Sequence, residues 1–316
     1  MNFSVSVIIP VYNGEKFIEK SINSAISQPE VFEVVVVNDG STDSTQIILD
    51  NLIVLNDKIK VYHHYNKLNK GRSSSRNLGI KKSKGNYIAF LDADDYYLKN
   101  RFLNDFHLFK NNKSINGVYN AIGAHFYRGT SKLEKEQLQL TTVKEPINSN
   151  DLFEILLLGS KGYFSIDGLT VEKEVFIKTG YFSEDLKVAE DTELILKMAL
   201  KATLVSGIID KPLAIRGIHD ENSFSNENLY KIFRYKMYYS LLNWMHKEKY
   251  SIKKIELVFN ALFLLRKLEK NTLFSEIKYW LFILKKYPFI MKSIVFIKSF
   301  PLISQRKKIL KFLYLK

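Results

Sequence analysis

Cysteine is absent from this 316-residue chain, which excludes a disulfide framework, a Cys-ligated zinc site and any thiol nucleophile. A reducing cytoplasm is compatible with that composition. Glycine and proline are modest, at 14 and 6 residues, and no Pro/Gly/Ser-rich linker or internal repeat interrupts the chain. Long apolar runs are lacking too. The most hydrophobic stretch, Ile277 to Phe300, is broken by Lys278, Lys285, Lys286, Lys292 and Lys298, so no window predicts a transmembrane helix. The first residues carry neither a basic n-region nor a small-residue cleavage site. They predict a first strand in place of a signal peptide, with the mature protein starting at or near Met1.

The last absence is local. Between Asn228 and Lys316 there are 4 acidic residues against 20 Lys/Arg, whereas residues 1–227 carry 29 against 27. The whole basic excess behind the net charge of +14 therefore sits in the last third. With 46% hydrophobic and 25% charged residues, the chain has the composition of a folded protein.

What is present in the first third is an alternation of short β-branched runs with helical patterns, the sequence form of a βαβ sheet buried on both faces. Val5 to Pro10, Val34 to Val37, Lys60 to His64 and Tyr87 to Leu91 predict strands. Glu15 to Ile26, Ser44 to Leu55 and Arg76 to Lys82 predict helices, the first on the spacing of Phe17, Ile18, Ile22, Ala25 and Ile26. Lys132 to Gln139 reads as a solvated hairpin or loop. Asp151 to Leu158 and Asp191 to Ala202 predict helices, and from Leu229 onward the pattern is almost wholly helical.

The chemistry concentrates at strand ends. Asp92-Ala93-Asp94-Asp95 follows a buried strand directly, where open α/β sheets place ligands. Three acids in four positions repel one another unless a cation compensates them. Mg²⁺ or Mn²⁺ suits such a carboxylate set together with phosphate oxygens; a solvated acidic turn capping the next helix is the structural alternative. Asn38-Asp39-Gly40-Ser41-Thr42-Asp43 ends another strand. Asp39 there can accept hydrogen bonds from a base or ribose, and Gly40 permits close backbone approach; the alternative is a turn capped by Asp43 or Ser41. Arg72 and Arg76 flank a Gly-Ser-rich turn before a helix, where guanidinium groups and helix amides could face phosphate.

These residues resemble the inverting glycosyltransferase family 2 with the GT-A fold. The resemblance rests on Val5 to Asn13, Glu33 to Asp43, Arg76-Asn77-Leu78-Gly79 and Phe90 to Asp95. It continues through Gly180-Tyr181-Phe182 and Ala189-Glu190-Asp191 to Ile218-His219-Asp220-Glu221-Asn222-Ser223. Ser75 stands where the family commonly has Ala. The resemblance implies a Rossmann-like mixed α/β sheet flanked by helices. It also implies that Pro10, Tyr12 and Asp39 line the base and ribose pocket. Asp92, Ala93 and Asp94 would meet the sugar diphosphate, Asp94 and Asp92 with His219 would be the metal set, and Asp191 would be the catalytic base.

The expectation is thus an enzyme moving a sugar from a nucleotide-sugar, a UDP-sugar above others, with Mn²⁺ or Mg²⁺, to a glycan or lipid-linked acceptor in surface polysaccharide synthesis. Residues 1–227 form the GT-A domain, with the donor half at about 1–110 and the acceptor half at about 111–227. Residues 228–316 form a basic aromatic helical region, membrane-proximal on the inner face of the cell membrane, or a helical bundle that packs on the catalytic domain or forms a homo-oligomer, the two being compatible. A nucleotidyltransferase is disfavoured because Val11 to Lys16 is a poor Gly-rich basic loop. A nucleic-acid-binding role is disfavoured by the acidic first two-thirds.

Overall fold

A computed structural model describes residues 3–220, 222, 227–267, 269 and 271–305. Glu221 and Ser223 of the quoted His219 motif lie outside the described residues. Contacts divide the chain into two units, Met1–Arg234 and Tyr235–Lys316.

In the first unit the order is β1 (Val5–Val11), α1 (Ile18–Ile26), β2 (Val31–Asn38), α2 (Thr45–Leu55), β3 (Ile59–His63), α3 (Gly71–Lys82), β4 (Tyr87–Phe90) and β5 (Tyr96–Tyr97). There follow α4 (Leu103–Asn111), β6 (Gly117–Tyr119), β7 (Ile122–Phe126), α5 (Lys132–Leu138), β8 (Leu140–Thr141) and α6 (Ser149–Leu158). β9 (Leu169–Glu172), α7 (Val175–Thr179), α8 (Glu190–Lys201), β10 (Leu204–Ser206) and β11 (Ala214–Ile218) complete it.

Seven strands form the main sheet in the order β10-β6-β9-β4-β1-β2-β3. β4, β1, β2 and β3 run parallel, and β9 is antiparallel to both of its neighbours. β1 and β2 carry near-continuous valine and isoleucine because helices cover both sheet faces, and Val7, Ile8, Ile9 and Val34 to Val37 are fully buried. The chain steps outward from β1 to β3 and returns to β4 on the other side of β1. The crevice beyond the carboxyl ends of β1 and β4 is therefore the topological switch point of the sheet. A second sheet, β5-β11-β7-β8, pairs β11 with the segment just after the acidic cluster.

Three expected elements are corrected. Lys132 to Gln139 is not a hairpin or loop but contains helix α5, capped by Ser131 Oγ accepting from the Glu134 N–H at 3.1 Å. Ser131-x-x-Glu134 is the capping-box pattern, a local signal that the high polarity masks. The helix expected at Arg76 starts at Gly71, so Arg72 lies within it and not in a turn before it. Its cap comes from outside: Asp39 Oδ1 and Oδ2 accept from the Lys70 and Gly71 N–H groups at 2.7 and 2.8 Å. A carboxylate more than thirty residues away in sequence satisfies the orphan amides and complements the helix dipole. The first helix starts at Ile18 and not Glu15, because Gly14 O accepts from Phe17 and Ile18 in a preceding turn.

The second unit, with the end of α9 (Glu227–Lys247), contains α10 (Ile252–Lys267), α11 (Leu273–Lys286), α12 (Ile294–Lys298) and α13 (Pro301–Ser304). It has its own core, including Leu241, Met245, Val258, Phe259, Leu262, Ile283, Ile290 and Phe296. Trp280 stacks on Phe296 with ring centroids 4.5 Å apart and donates from Nε1 to the Phe296 carbonyl. Among the described residues no helix is long and apolar enough to cross a membrane.

Candidate active site

A cavity of about 420 Å³ opens at the switch point. Its wall carries Pro10, Tyr12, Asn13 and Phe17 from the β1–α1 side, Asp39 after β2, Arg72 on α3, Asp92, Ala93 and Asp94 after β4, and His219 after β11. Pro10, Tyr12, Asp39, Arg72, Asp92, Ala93, Asp94 and His219 were all singled out from sequence. Arg76 and Asp191 are not on that wall.

The rim is tied together by side chains. The Asn13 N–H donates to Ser41 Oγ at 2.9 Å, and Asn13 Oδ1 accepts from the Thr42 N–H at 2.8 Å. The Glu15 N–H donates to Asp43 Oδ2, and Glu15 Oε2 accepts from Ser44 N–H. Asp43 Oδ1 also accepts from the Thr45 N–H at the start of α2. The strand-end turns after β1 and β2 thus hold one another and leave Tyr12 projecting, 52% exposed. Gly40, at φ +77°, packs against the Lys67 carbonyl, which an added Cβ would meet at 2.5 Å. The close approach that this glycine permits is to the chain's own backbone.

The acidic turn Asp92 to Asp95 is closed by the Asp95 N–H donating to the Asp92 carbonyl. Its three carboxylates have separate partners. Asp92 Oδ1 lies 2.5 Å from Arg76 Nη2. Burial pushes Asp92 up, but the Arg76 and Arg72 charges outweigh it and hold the carboxyl below its usual range. Asp94 Oδ2 lies 2.8 Å from His219 Nε2 and accepts from Asn222 Nδ2 at 3.1 Å, while Asn222 Oδ1 accepts from the His219 N–H. Burial and the Asp92 charge raise the Asp94 carboxyl, an arrangement that a cation would relieve. Phe17 stacks on the His219 ring at 5.3 Å and fixes its plane.

Asp95 points away from the cavity. Its Oδ1 accepts from the Gly217 N–H at 2.9 Å on β11. With Asp92 and Asp167 it forms a group whose carboxylate oxygens lie within 4.8 Å of one another. Burial and the neighbouring acids push Asp95 well up and Asp167 to about 6. Arg216 supplies positive charge to both, and its Nη2 donates to Ser165 Oγ, which in turn donates to Asp167 Oδ2. On the cavity wall Asp92 and Asp94 offer carboxylates of the kind that Mn²⁺ or Mg²⁺ takes, with His219 beside Asp94.

Arg76 is buried beneath the wall, where Nη1 also lies 2.8 Å from Glu190 Oε1. Its place is behind Asp92, with no opening to the cavity. Arg72, one turn earlier on α3, stays partly open and reaches Glu190 at 3.6 Å. Asp191 stands in the first turn of α8, half-buried, and its charge is felt by both Arg76 and Tyr230. Ala189, the residue before α8, takes φ +63°, a left-handed conformation unusual for alanine that turns the chain into the helix. Asn77 makes a two-way pair with the Phe182 backbone, Nδ2 to O and N–H to Oδ1, both at 3.0 Å. The Arg76-Asn77 motif thereby docks both Gly180-Tyr181-Phe182 and Glu190.

Sequence reasoning missed Asp167, Asn222 as a partner of Asp94, Phe17 as a support for His219, and Glu190 as the buried anchor of Arg76. Only Glu190 and Asn222 lay inside quoted motifs. Asp167 meets Asp92 from 75 residues away, its Oδ1 accepting from the Asp92 N–H, and no local pattern marks it.

The sequence profile of glycosyl transferase family 2 matches residues 6–165. An uncharacterized glycosyltransferase of Rickettsia bellii is 31% identical over 269 residues, 84% of this chain and 36% of that protein. The poly(ribitol-phosphate) beta-N-acetylglucosaminyltransferase TarS of Staphylococcus aureus is 30% identical over 249 residues, 72% of this chain and 39% of its own length. The structure of TarS 1-349 in complex with UDP-GlcNAc matches at a TM-score of 0.55 with 20% identity, covering 96% of this chain and 92% of that one. The mannosyltransferase PcManGT of Pyrobaculum calidifontis, solved with GDP-Man and Mn²⁺, matches at 0.53 with 14% identity over 95% and 86%. These likenesses establish the GT-A arrangement of sheet and helices. The chain spans 36–47% of the length of the three Rickettsia glycosyltransferases that it matches along 84–92% of its own residues.

Proposed function

The chain belongs to glycosyl transferase family 2, and on that premise we propose that it is an inverting glycosyltransferase using a UDP-sugar with Mn²⁺ or Mg²⁺. The observation that carries the reading is the cavity at the β1/β4 switch point. It gathers an exposed aromatic ring, three carboxylates, a histidine and an arginine on one wall. In this reading Pro10, Tyr12 and Asp39 receive the base and ribose. Asp94, Asp92 and His219 hold the metal, which when bound would neutralise charge on the departing diphosphate. Arg72 adds a positive group beside that charge. Asp191 takes the proton from the acceptor hydroxyl as it attacks the anomeric carbon opposite the leaving group.

TarS, bound to UDP-GlcNAc, and PcManGT, bound to GDP-Man and Mn²⁺, support a nucleotide-sugar and a divalent ion. The acceptor in this reading is a glycan or lipid-linked glycan of a surface polysaccharide, met through residues of the half at about 111–227. The basic last third would bring the enzyme to the inner face of a membrane, and self-association of the same region is compatible with that placement.

Titration calorimetry with UDP, UDP-sugars and GDP-Man, each with and without Mn²⁺ or Mg²⁺, tests the proposal. A UDP-sugar should bind in a metal-dependent way, and Asp94→Ala should remove that dependence. Failure of every nucleotide to bind with either metal, or an Asp94→Ala profile equal to the parent's, overturns it.

A further inference from the structure

We propose that the exposed face of α11 is a docking surface for an anionic lipid bilayer. Phe274, Lys278, Leu281 and Lys285 follow at i, i+4, i+7 and i+11, so they form one stripe along the helix. All four are exposed, with Phe274 at 66% and Leu281 at 51%. The opposite side of the same helix supplies Trp280 and Ile283 to the core of the second unit. The helix has therefore met its packing requirement and still presents large apolar groups outward, where an ordinary solvated face carries polar residues. α12 repeats the composition on its own exposed side, with Ile294 at 66% and Lys298.

The charge pattern identifies the occupant. Glu276 is the last acidic residue of the chain, and the ten Lys/Arg after it have no acid among them. Glu276 itself is taken by Arg266, whose Nε lies 3.0 Å away. Lys278 Nζ stands 4.5 Å from the centre of the Phe274 ring. A cation and an apolar group thus project side by side, the pairing that lets a ring enter the headgroup boundary while the ammonium meets phosphate. A second copy seated on the same face across a two-fold axis would press these lysines against their own counterparts. Phe274 is the one ring of the stripe, and with aliphatic Leu281 next along it there is no run of stacking platforms for successive bases.

This inference rests on the reading that the acceptor lies at a membrane, and its test is separable from donor binding. The whole 316-residue chain is floated with vesicles of phosphatidylcholine containing about 30% phosphatidylglycerol, and with phosphatidylcholine alone. The parent should float with the anionic vesicles only, and less so as salt rises. Each lysine near such a surface contributes about fivefold to partitioning, so Lys278→Gln with Lys285→Gln should lower it about thirtyfold. Phe274→Ser with Leu281→Ser should also lower it, with circular dichroism and UDP binding unchanged in both variants. Equal binding to neutral vesicles, no flotation, or parent-like flotation of either double variant overturns the surface. So does a shift of a single-stranded nucleic acid probe, or a loss of self-association in the Phe274/Leu281 variant, without vesicle binding. Flotation that holds while nucleotide binding fails would count against the proposed catalytic function and leave the surface standing.

Discussion

Arg76 joins two carboxylates that are remote in sequence, with Nη2 2.5 Å from Asp92 Oδ1 and Nη1 2.8 Å from Glu190 Oε1. One acid belongs to the turn that faces the cavity. The other directly precedes Asp191, which makes the guanidinium the mechanical link between the cavity wall and the first turn of α8.

Removing that link should be costly, because it takes from two acids their nearest counter-charge and leaves the partly open Arg72 in its place. Arg76→Met is expected to lower stability by about 3–5 kcal/mol, the usual cost of stripping one partner from a buried pair. Adding Glu190→Gln should recover part of the loss. Urea denaturation of the parent, single and double variants measures both.

The Asp94 pair and Asp191 should separate kinetically. Asn222→Ala removes a hydrogen bond to Asp94 and another to the His219 N–H, and is expected to weaken metal-dependent donor binding about 10–100-fold. Asp191→Asn should leave donor binding intact and lower kcat about 10²–10⁴-fold, as loss of a general base does. Calorimetry and initial rates with whichever UDP-sugar the titration identifies distinguish the two.

Gly217 lies where β11 presses on the acidic turn, and a Cβ there would come within 2.4 Å of the Asp94 carbonyl oxygen. Backbone cannot retreat as a flexible side chain could. Gly217→Ala is therefore expected to cost about 1–3 kcal/mol and to raise KM for the donor through displacement of Asp94. Thermal unfolding together with donor titration checks the two effects.

His64 provides a pH test outside the metal set. Its Nε2 lies 3.0 Å from Ser75 Oγ and 3.5 Å from Asp39 Oδ1. Burial lowers its pKa, with the Asp39 charge opposing and Lys70 assisting. A histidine held below its unfolded value of about 6.5 binds fewer protons folded than unfolded. Its contribution is fully retained above the unfolded pKa and is lost as pH falls through the folded one. His64→Gln should accordingly flatten the decline in stability between about pH 7.5 and about pH 5.5, which chemical denaturation at a series of pH values would show. A parallel decline in both proteins would argue that His64 does not carry it.

Much of the scaffold was legible because its causes are local. β1, β2 and β4 announce themselves as apolar runs, since a strand covered on both faces admits little else. Asp92 to Asp95 and Asp39 could be placed at strand ends for the same reason. The start of α3 was not legible, because its cap is the Asp39 carboxylate from a different loop. α5 was legible in principle through Ser131 and Glu134, yet its polarity concealed it.

By itself the sequence determined the βαβ order, the strand-end acids, the basic last third and the family. Each follows from residue type and near-neighbour spacing. Tertiary structure alone decided which acid does what. Asp92, Asp94 and Asp95 are near-equivalents in sequence, but folding sets Arg76 against the first, His219 and Asn222 against the second, and Gly217 with the buried Asp167 and Arg216 around the third. An ionisable group takes its role from the charges and burial around it, and those neighbours come from α3, the turn before β9, and β11 with the segment after it, whose meeting no local pattern encodes.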